Sequence, residues 1–387
     1  MQQLEQQTHH FTREVLGHIH AYIAAKGFFY TKQDIANLFL CLRTKPFVIL
    51  AGISGTGKTQ LVRQFAAALG CAERCTLIPV RPDWADNSDL IGYTDLQGVF
   101  RRRAFLSAVV KAHAEPRFMH FVILDEMNLA RVEHYFSDVL SILETRERKE
   151  DKIVTQELLS ESELSSDHPS NRELLHLGIP DNLYLIGTVN MDETTYPFSR
   201  KVLDRANAIE MNEVHLDWPP EGEKVDPLSD VYNDFLRAPY VHLKDIPHDS
   251  RPQLKEAMQL LNEINRVLRQ ADLQFGYRVR DELAFYLLNR YEIRELISEQ
   301  EALDFQIMQK ILPRIYGSSR RVGDALYALT RLFVPKEIKL SPDMPVRALR
   351  KQIGEPKKQA FRFPRTIEKL LLMTRRYEED GFTSFWI

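Results

Sequence analysis

The side chains best suited to chemistry lie in one short run in the first fifth of the chain. Residues 52–59 read GISGTGKT and match G-x-x-x-x-G-K-[ST] at every fixed position. Glycines let such a loop curl so that its N–H groups point at phosphate oxygens, at the positive end of the following helix. Lys58 would reach the outer phosphates, and the Thr59 hydroxyl would bind Mg²⁺. The predicted nucleotide-binding residues are Gly52, Ser54, Gly55, Thr56, Gly57, Lys58, Thr59 and Gln60.

Two adjacent acids follow the apolar run 121–124. Asp125 would belong to the metal shell together with Thr59, and Glu126 would orient and polarise the attacking water. Because neighbours in a strand point to opposite sides, the two acids can have different tasks. An acid pair in this position can also cap a helix. Its place about 60 residues after the phosphate-binding run favours the catalytic interpretation.

A third group of polar side chains comes later in the chain. Asn190 ends an apolar run, where its amide could hold the hydrolytic water near the terminal phosphate. Arg200 and Arg205 precede the last apolar run, so either cation could reach a nucleotide held by a neighbouring subunit. The alternative is that Asn190 caps a turn and that Arg205 pairs with Asp204 on the surface.

Short apolar runs must position these side chains. Turn residues bound them, and they cover residues 47–51, 76–80, 121–124, 183–189 and 208–211. Such runs suit buried strands of a parallel sheet covered by helices on both faces. Helical periodicity lies between them, for example over 60–69 and 134–145. The alternation predicts an α/β core.

We expect three segments along the chain. Residues 1–45 form helices that pack on the core, and residues 46–225 form the nucleotide-binding core. A polar stretch near 148–182 predicts an exposed insertion in that core. Prolines between 216 and 227 indicate a linker, after which residues 226–387 form a helical lid and a basic C-terminal segment.

Composition excludes several classes of protein. The chain has 387 residues, of which 44% are hydrophobic and 27% are charged, so it is neither disordered nor fibrous. A net charge of -3 predicts no polyanionic partner for the molecule as a whole. Three cysteines favour a reducing compartment over a disulfide framework. With no apolar run of about 18 residues, we expect a cytoplasmic protein without a membrane partner.

Together, these residues resemble the AAA+ ATPase pattern of Walker A, Walker B, first sensor and arginine finger. The chain is similar to the McrB-like branch, the motor subunits of modification-dependent restriction systems, near the MoxR and dynein-related AAA+ proteins. The supporting stretches are 51–60 (AGISGTGKTQ), 89–92 (DLIG), 124–131 (LDEMNLAR) and 196–205 (YPFSRKVLDR). The resemblance implies an AAA+ P-loop core, a five-stranded parallel sheet sandwiched by helices, followed by an α-helical lid. The last stretch is similar to MoxR and favours Arg205 over Arg200 as the finger.

The resemblance also bears on the nucleotide. AAA+ lids contribute a second-sensor arginine at a helix start, and the run 275–282 fits this pattern, with Arg280 favoured and Arg278 close behind. McrB proteins carry an M-N-T-x-D-like signature after the first-sensor strand, whereas residues 189–193 read VNMDE. McrB itself uses GTP and most relatives use ATP. We therefore expect ATP or GTP as the substrate, and the comparison slightly favours ATP. Mg²⁺ is the expected cofactor.

By resemblance the chain works as a homo-oligomer, a hexameric ring, that acts on DNA. No nuclease pattern of P-D, a spacer of variable length and then E-x-K around a strand is visible. Cutting would therefore come from a separate McrC-like nuclease subunit, and antiviral defence would be the biology. The alternative is a MoxR-like chaperone that remodels proteins without touching DNA. Ten lysines and arginines between 346 and 376 could contact phosphates or an acidic partner, or form a solvated face.

Overall fold

The computed structural model describes residues 2–150, 152–160, 164, 169–191, 196–214, 216, 223–335, 338, 344–354 and 361–386. At residues 2–9 and 169–170 it describes the backbone alone. The chain separates into two units, Met1–His242 and Leu243–Ile387.

A parallel sheet forms the centre of the first unit. The strands described in this unit are β1 (Phe47–Gly52), β2 (Cys75–Pro79), β3 (Gly92–Thr94), β4 (Phe100–Arg102), β5 (His120–Asp125), β6 (Glu147–Lys149), β7 (Lys152–Val154), β8 (Leu183–Asn190) and β9 (Asn207–Glu210). Five of them form a parallel sheet in the order β2-β5-β8-β1-β9. β3–β4 and β6–β7 form antiparallel hairpins. The predicted α/β fold with a five-stranded parallel sheet is confirmed.

The sheet register brings the candidate site together at one edge. β1 is buried along its whole length, and β5 and β8 are buried up to their last residue. Continuous apolar runs of this kind suit strands covered on both faces. Gly52 at the end of β1 lies opposite Asn190 at the end of β8, and Leu124 of β5 lies opposite Gly187. The segments that follow β1, β5 and β8 are therefore neighbours at the carboxyl edge.

Helices flank this sheet. Those described in the first unit are α1 (Gln2–Ala25), α2 (Lys32–Thr44), α3 (Lys58–Ala68), α4 (Ala104–Ala114), α5 (Val132–Tyr135), α6 (Ser137–Leu143) and α7 (Arg200–Leu203). α3 and α4 pack on the strands, and α1 packs on α2 and α3. A capping box fixes the start of α2, because the Thr31 hydroxyl accepts a hydrogen bond from Asp34 N at 3.1 Å and the Asp34 carboxylate accepts one from Thr31 N at 2.8 Å.

The helix predicted over 134–145 is broken in the structure. It divides into α5 and α6 at Phe136, whose backbone has φ -112° and ψ 3°. The Phe136 ring is buried 5.3 Å from the Phe47 ring, measured between centroids. The Tyr135 hydroxyl also donates a hydrogen bond to Met127 O at 2.8 Å. Packing of two adjacent aromatic residues in different directions therefore outweighs the helical periodicity.

The described part of the segment near 148–182, predicted as an exposed insertion, combines exposed and buried side chains. It begins with the hairpin β6–β7 and contains the buried side chains Leu158, Leu159 and Leu174. At its end the Asn182 amide donates to the carbonyls of residues 112, 115 and 118. Because acidic residues dominate the composition of the stretch, its buried positions are difficult to predict from the sequence.

The segment 223–242 belongs to the first unit. Asn233 N donates a hydrogen bond to Arg117 O at 2.9 Å, just before β5, and the Tyr184 hydroxyl of β8 donates to Asn233 Oδ1 at 2.7 Å. Such contacts place the structural division after His242, whereas the sequence suggests 225/226.

Helices dominate the second unit. Its described helices are α8 (Lys255–Arg269), α9 (Tyr277–Arg290), α10 (Glu299–Gln306), α11 (Arg320–Phe333), α12 (Val346–Ile353) and α13 (Pro364–Asp380). Two short strands, β10 (Tyr316–Gly317) and β11 (Thr383–Ser384), pair antiparallel. The helical character predicted for this region is confirmed. Among the helices that the structure describes, none combines the length and the apolar character needed to cross a bilayer.

Candidate active site

The loop between β1 and α3 has the backbone that a phosphate cradle requires. Gly55 has φ +85° and Gly57 has φ +84°, in the left-handed region that favours glycine. Ile53, Ser54 and Gly55 are exposed at the tip of the loop. The Thr56 hydroxyl stays inside the loop and donates a hydrogen bond to Ile53 O at 3.1 Å. The predicted residues thus form an open loop whose curvature depends on glycine.

Lys58, the first residue of α3, holds this loop from within. Its ammonium group donates to Gly52 O at 3.1 Å and to Ile53 O at 2.7 Å, and the residue is only 5% exposed. Burial lowers the pKa of the Lys58 ammonium group, while the negative charges of Asp125 and Glu126 act in the opposite direction. A polyanion bound here would stabilise the charged form further.

Two side chains distant in sequence support the loop. The Tyr30 hydroxyl, between α1 and α2, donates a hydrogen bond to Gly57 O at 2.8 Å. On the other side, Asn212 Oδ1 accepts from Ile53 N at 3.0 Å, just after β9. Sequence analysis missed both residues, because neither lies in a recognisable motif. Gln60, the last predicted residue, lies on α3, where its side chain accepts a hydrogen bond from Gln64 at 3.3 Å.

Oxygen atoms suited to a magnesium ion meet beside the loop. The Thr59 hydroxyl donates to Asp125 Oδ1 at 2.7 Å, and the Thr188 hydroxyl donates to the same carboxylate oxygen at 2.7 Å. Magnesium prefers oxygen ligands and is commonly held by one or two carboxylates in addition to substrate phosphates. The donor set of Thr59 and Asp125 therefore fits the ion, next to the loop where phosphates would lie.

Glu126 lies beyond the strand rather than in it. β5 ends at Asp125, and Glu126 has φ 52° and ψ 49°, a left-handed conformation that costs about 1–2 kcal/mol for a residue with a Cβ. The different directions of the two acids therefore come from this turn, which corrects the argument from strand alternation. Its backbone N–H donates to the Thr188 hydroxyl at 3.1 Å, and its carboxylate accepts from Asn190 Nδ2 at 2.9 Å.

Asn128 is a further polar side chain that the sequence analysis passed over. It is 1% exposed, and its amide donates to Asn190 O at 3.1 Å. Among the described residues, its Oδ1 atom has no hydrogen-bond partner. Asn128 lies within LDEMNLAR, two residues after Glu126. The sequence signal that could have indicated it is an amide residue so close to the acid pair. The structure thus brings Lys58, Thr59, the acid pair and Asn190 close together.

The comparison with protein families decides what this arrangement is. The family profile of the AAA domain, dynein-related subfamily, matches residues 47–206. Residues 47–206 form an AAA domain. It is a nucleoside-triphosphatase domain, with the phosphate loop and the acid pair where its sheet ends. Residues 225–382 match a family described as a domain of unknown function.

A curated relative points in the same direction. The chain is 26% identical over 172 residues to the type IV methyl-directed restriction enzyme EcoKMcrB subunit of Escherichia coli K12, a match that covers 43% of this chain. The matched segment spans 35% of that relative's length. A protein of Cytophaga hutchinsonii, solved at 2.00 Å as a candidate ATPase, aligns with a TM-score of 0.39 at 14% identity, covering 76% of this chain and 81% of that one.

The candidate finger arginines of the AAA domain differ in exposure. Arg200, at the start of α7, is exposed. The Arg205 side chain is 21% exposed; its Nη1 donates to Lys201 O at 3.0 Å, and its Nε lies 3.6 Å from Glu144 Oε1. Lys45 Nζ lies 3.0 Å from the same Glu144 oxygen. Arg205 therefore contacts a set of residues separate from the loop and the acid pair.

The predicted second-sensor arginines lie in the second unit. Gly276 precedes α9, and Arg278 and Arg280 lie in its first turn. Arg280 Nε is 2.7 Å from Asp281 Oδ1, and its guanidinium carbon lies 4.6 Å from the centre of the Tyr277 ring. Their role in nucleotide binding stays a prediction. Residues 192 and 193 of the run VNMDE lie outside the described residues.

Proposed function

We propose that this chain is the motor subunit of a ring that hydrolyses ATP or GTP with Mg²⁺ and acts on DNA together with a separate nuclease. The observation that carries the proposal is the convergence of Lys58, Asp125 and Glu126 in a domain that is similar to part of a restriction-enzyme subunit. The similarity supports the proposed DNA substrate and nuclease partner, and the geometry of the site supports the proposed hydrolysis.

Each side chain of the cluster has a chemical task in this proposal. Lys58 would exchange its two carbonyl partners for outer phosphate oxygens. Thr59 and Asp125 would hold the Mg²⁺ ion, which neutralises charge on the phosphates. Glu126 would orient the attacking water, and its Asn190 partner would assist from the neighbouring strand.

The ring part of the proposal concerns Arg205. It lies two residues before β9, an edge strand of the sheet, so the side chain belongs to the margin of the AAA domain. To reach a nucleotide in the next subunit, it would leave Glu144 and Lys201 O. Ring assembly would offer it a triphosphate in place of a carboxylate, and such a cation stabilises charge in the transition state.

Mixing of inactive subunits tests the ring. Glu126→Gln and Arg205→Ala should each remove turnover, and a mixture of the two should regain part of it, because hybrid interfaces combine an intact acid with an intact arginine. The exposed Arg200 is the matched control, since Arg200→Ala should keep turnover if Arg205 is the finger. An absence of recovery at every mixing ratio would count against a trans-acting Arg205.

Stimulation of hydrolysis tests the substrate. We expect phosphate release to accelerate when duplex DNA and a nuclease subunit encoded next to this chain are added. Acceleration by a von Willebrand-type partner protein, with no response to DNA, would instead favour a protein-remodelling chaperone. The measurement is steady-state phosphate release at fixed salt concentration, because DNA binding weakens steeply as salt rises.

A further inference from the structure

Thr188 occupies a position between the two acids that the proposed chemistry leaves without a task. It lies in β8, two residues before Asn190, and is 2% exposed. On one side of β8, Thr188 lies opposite Leu50 of β1. On the other side of β8, the last residue pair with β5 joins Gly187 to Leu124, so Thr188 lies level with the end of β5.

One hydroxyl group serves both acids. The Thr188 hydroxyl donates its proton to Asp125 Oδ1 at 2.7 Å and accepts a hydrogen bond from Glu126 N at 3.1 Å. A hydroxyl has one donor and two acceptor positions, so it can make both bonds at once. Valine has the same shape without either bond, and serine keeps both. A hydroxyl-bearing side chain at this position connects the carboxylate of one acid to the backbone of the next.

These bonds fix what the two acids can do. Asp125 Oδ1 also accepts from Thr59, so Thr59 and Thr188 together set the orientation of the carboxylate proposed to hold Mg²⁺. Glu126 has a left-handed backbone, which persists only where the surroundings determine it. The Thr188 hydroxyl holds the N–H end of that residue, and Leu129 N holds its carbonyl at 2.9 Å.

We infer that Thr188 is a positioning residue for hydrolysis, which sets the metal-side carboxylate and the water-side glutamate in register with each other. The inference rests on the proposed hydrolytic role of the acid pair. It requires neither DNA nor a nuclease. Thr188 touches neither phosphate nor water in this role, and acts through Asp125 and Glu126.

Thr188→Val and Thr188→Ser form a matched pair for the test. We expect Thr188→Val to lower kcat at least about tenfold, because one hydrogen bond to the Asp125 carboxylate and one from the Glu126 backbone N–H are lost. KM should stay near the wild-type value, because the phosphate loop is intact. For the same reason, the nucleotide affinity, measured separately in the presence of a metal chelator, should also stay near the wild-type value. The Mg²⁺ concentration for half-maximal hydrolysis should rise. Thr188→Ser should regain kcat to within about threefold of wild type.

The outcomes separate positioning from simple packing. Equal losses in the valine and serine variants would assign Thr188 to packing, and an unchanged kcat in Thr188→Val would overturn the inference outright. If the valine variant does not fold, Thr188→Cys takes its place, since a thiol is a weak donor and should give a kcat below that of serine. Wild-type protein without any basal hydrolysis would instead overturn the proposed function.

Discussion

A methyl group at position 57 should destabilise the first unit through one identifiable contact. Gly57 has φ +84°, and a Cβ there would lie 2.5 Å from the Tyr30 hydroxyl oxygen. That hydroxyl donates to Gly57 O, and burial followed by the charge of Asp34 raises the pKa of Tyr30 to about 12, so the group stays a donor at neutral pH. Gly57→Ala therefore disturbs both the backbone and the Tyr30 bond.

The size of the effect follows from these two contributions. The left-handed backbone costs about 1–2 kcal/mol with a Cβ present, and displacement of the Tyr30 hydroxyl loses a hydrogen bond of about 1 kcal/mol. We expect Gly57→Ala to lower the free energy of unfolding by about 2–3 kcal/mol and Tyr30→Phe to lower it by about 1 kcal/mol. In the double variant the bond is lost once, and the nearest ring carbon lies at 3.4 Å, an ordinary contact. Its loss should be about 1 kcal/mol smaller than the sum of the single losses.

The assay is urea unfolding of all four proteins, followed by circular dichroism and tryptophan fluorescence with coincident transitions required. Gly55→Ala is the matched control, because Gly55 has φ +85° but a Cβ there would meet nothing within 4 Å. Its loss should add to that of Tyr30→Phe. Additivity of Gly57→Ala and Tyr30→Phe to within about 0.5 kcal/mol would refute the contact.

Three further changes have defined outcomes. Lys58→Ala should weaken binding of a fluorescent nucleotide at least about a hundredfold, since charge-assisted bonds to phosphate are lost, and normal affinity would refute the phosphate-cradle assignment. Glu126→Gln should bind nucleotide normally but turn over about a hundredfold to ten-thousandfold more slowly in phosphate release; undiminished turnover would remove it from the chemistry. Burial lowers the pKa of His120 from 6.5 to about 4, so the unfolded chain takes up the proton first and stability is lost as pH falls from 6.5 towards 4. His120→Gln should remove about 2.5 kcal/mol of this loss, measured as the difference in unfolding free energy between pH 7 and pH 4.5, and an equal pH response in both proteins would contradict it.

The placement of the candidate site residues was predictable where local patterns determine it. The loop 52–59 and the acid pair each follow a continuous apolar run, and such runs in a parallel sheet end at the same edge. Their meeting with Asn190 therefore follows from strand order and register, given an α/β fold. The bounds of α5 and α6 were not predictable, because the direction of the Phe136 ring is decided by Phe47 on another element.

Residues that support the site were not predictable for a similar reason. Tyr30 and Thr188 lie far in sequence from the groups they hold, and neither differs in type from many other tyrosines and threonines. The left-handed backbone of Glu126 has no sequence signal, because it is imposed by hydrogen bonds from β8. Local sequence specifies the candidate site residues here, while their precise placement comes from tertiary contacts.

The place of β1 in the sheet has a consequence for synthesis on the ribosome. Its two neighbours are β8 and β9, so the strand that carries the phosphate loop has no hydrogen-bonded partner until residues 183–210 have been translated. A nascent chain arrested before residue 183 would expose β1 as an unpaired apolar segment, of the kind that chaperones recognise. Such a chain should not bind a triphosphate. The ability to bind a triphosphate should appear abruptly once β9 has left the exit tunnel.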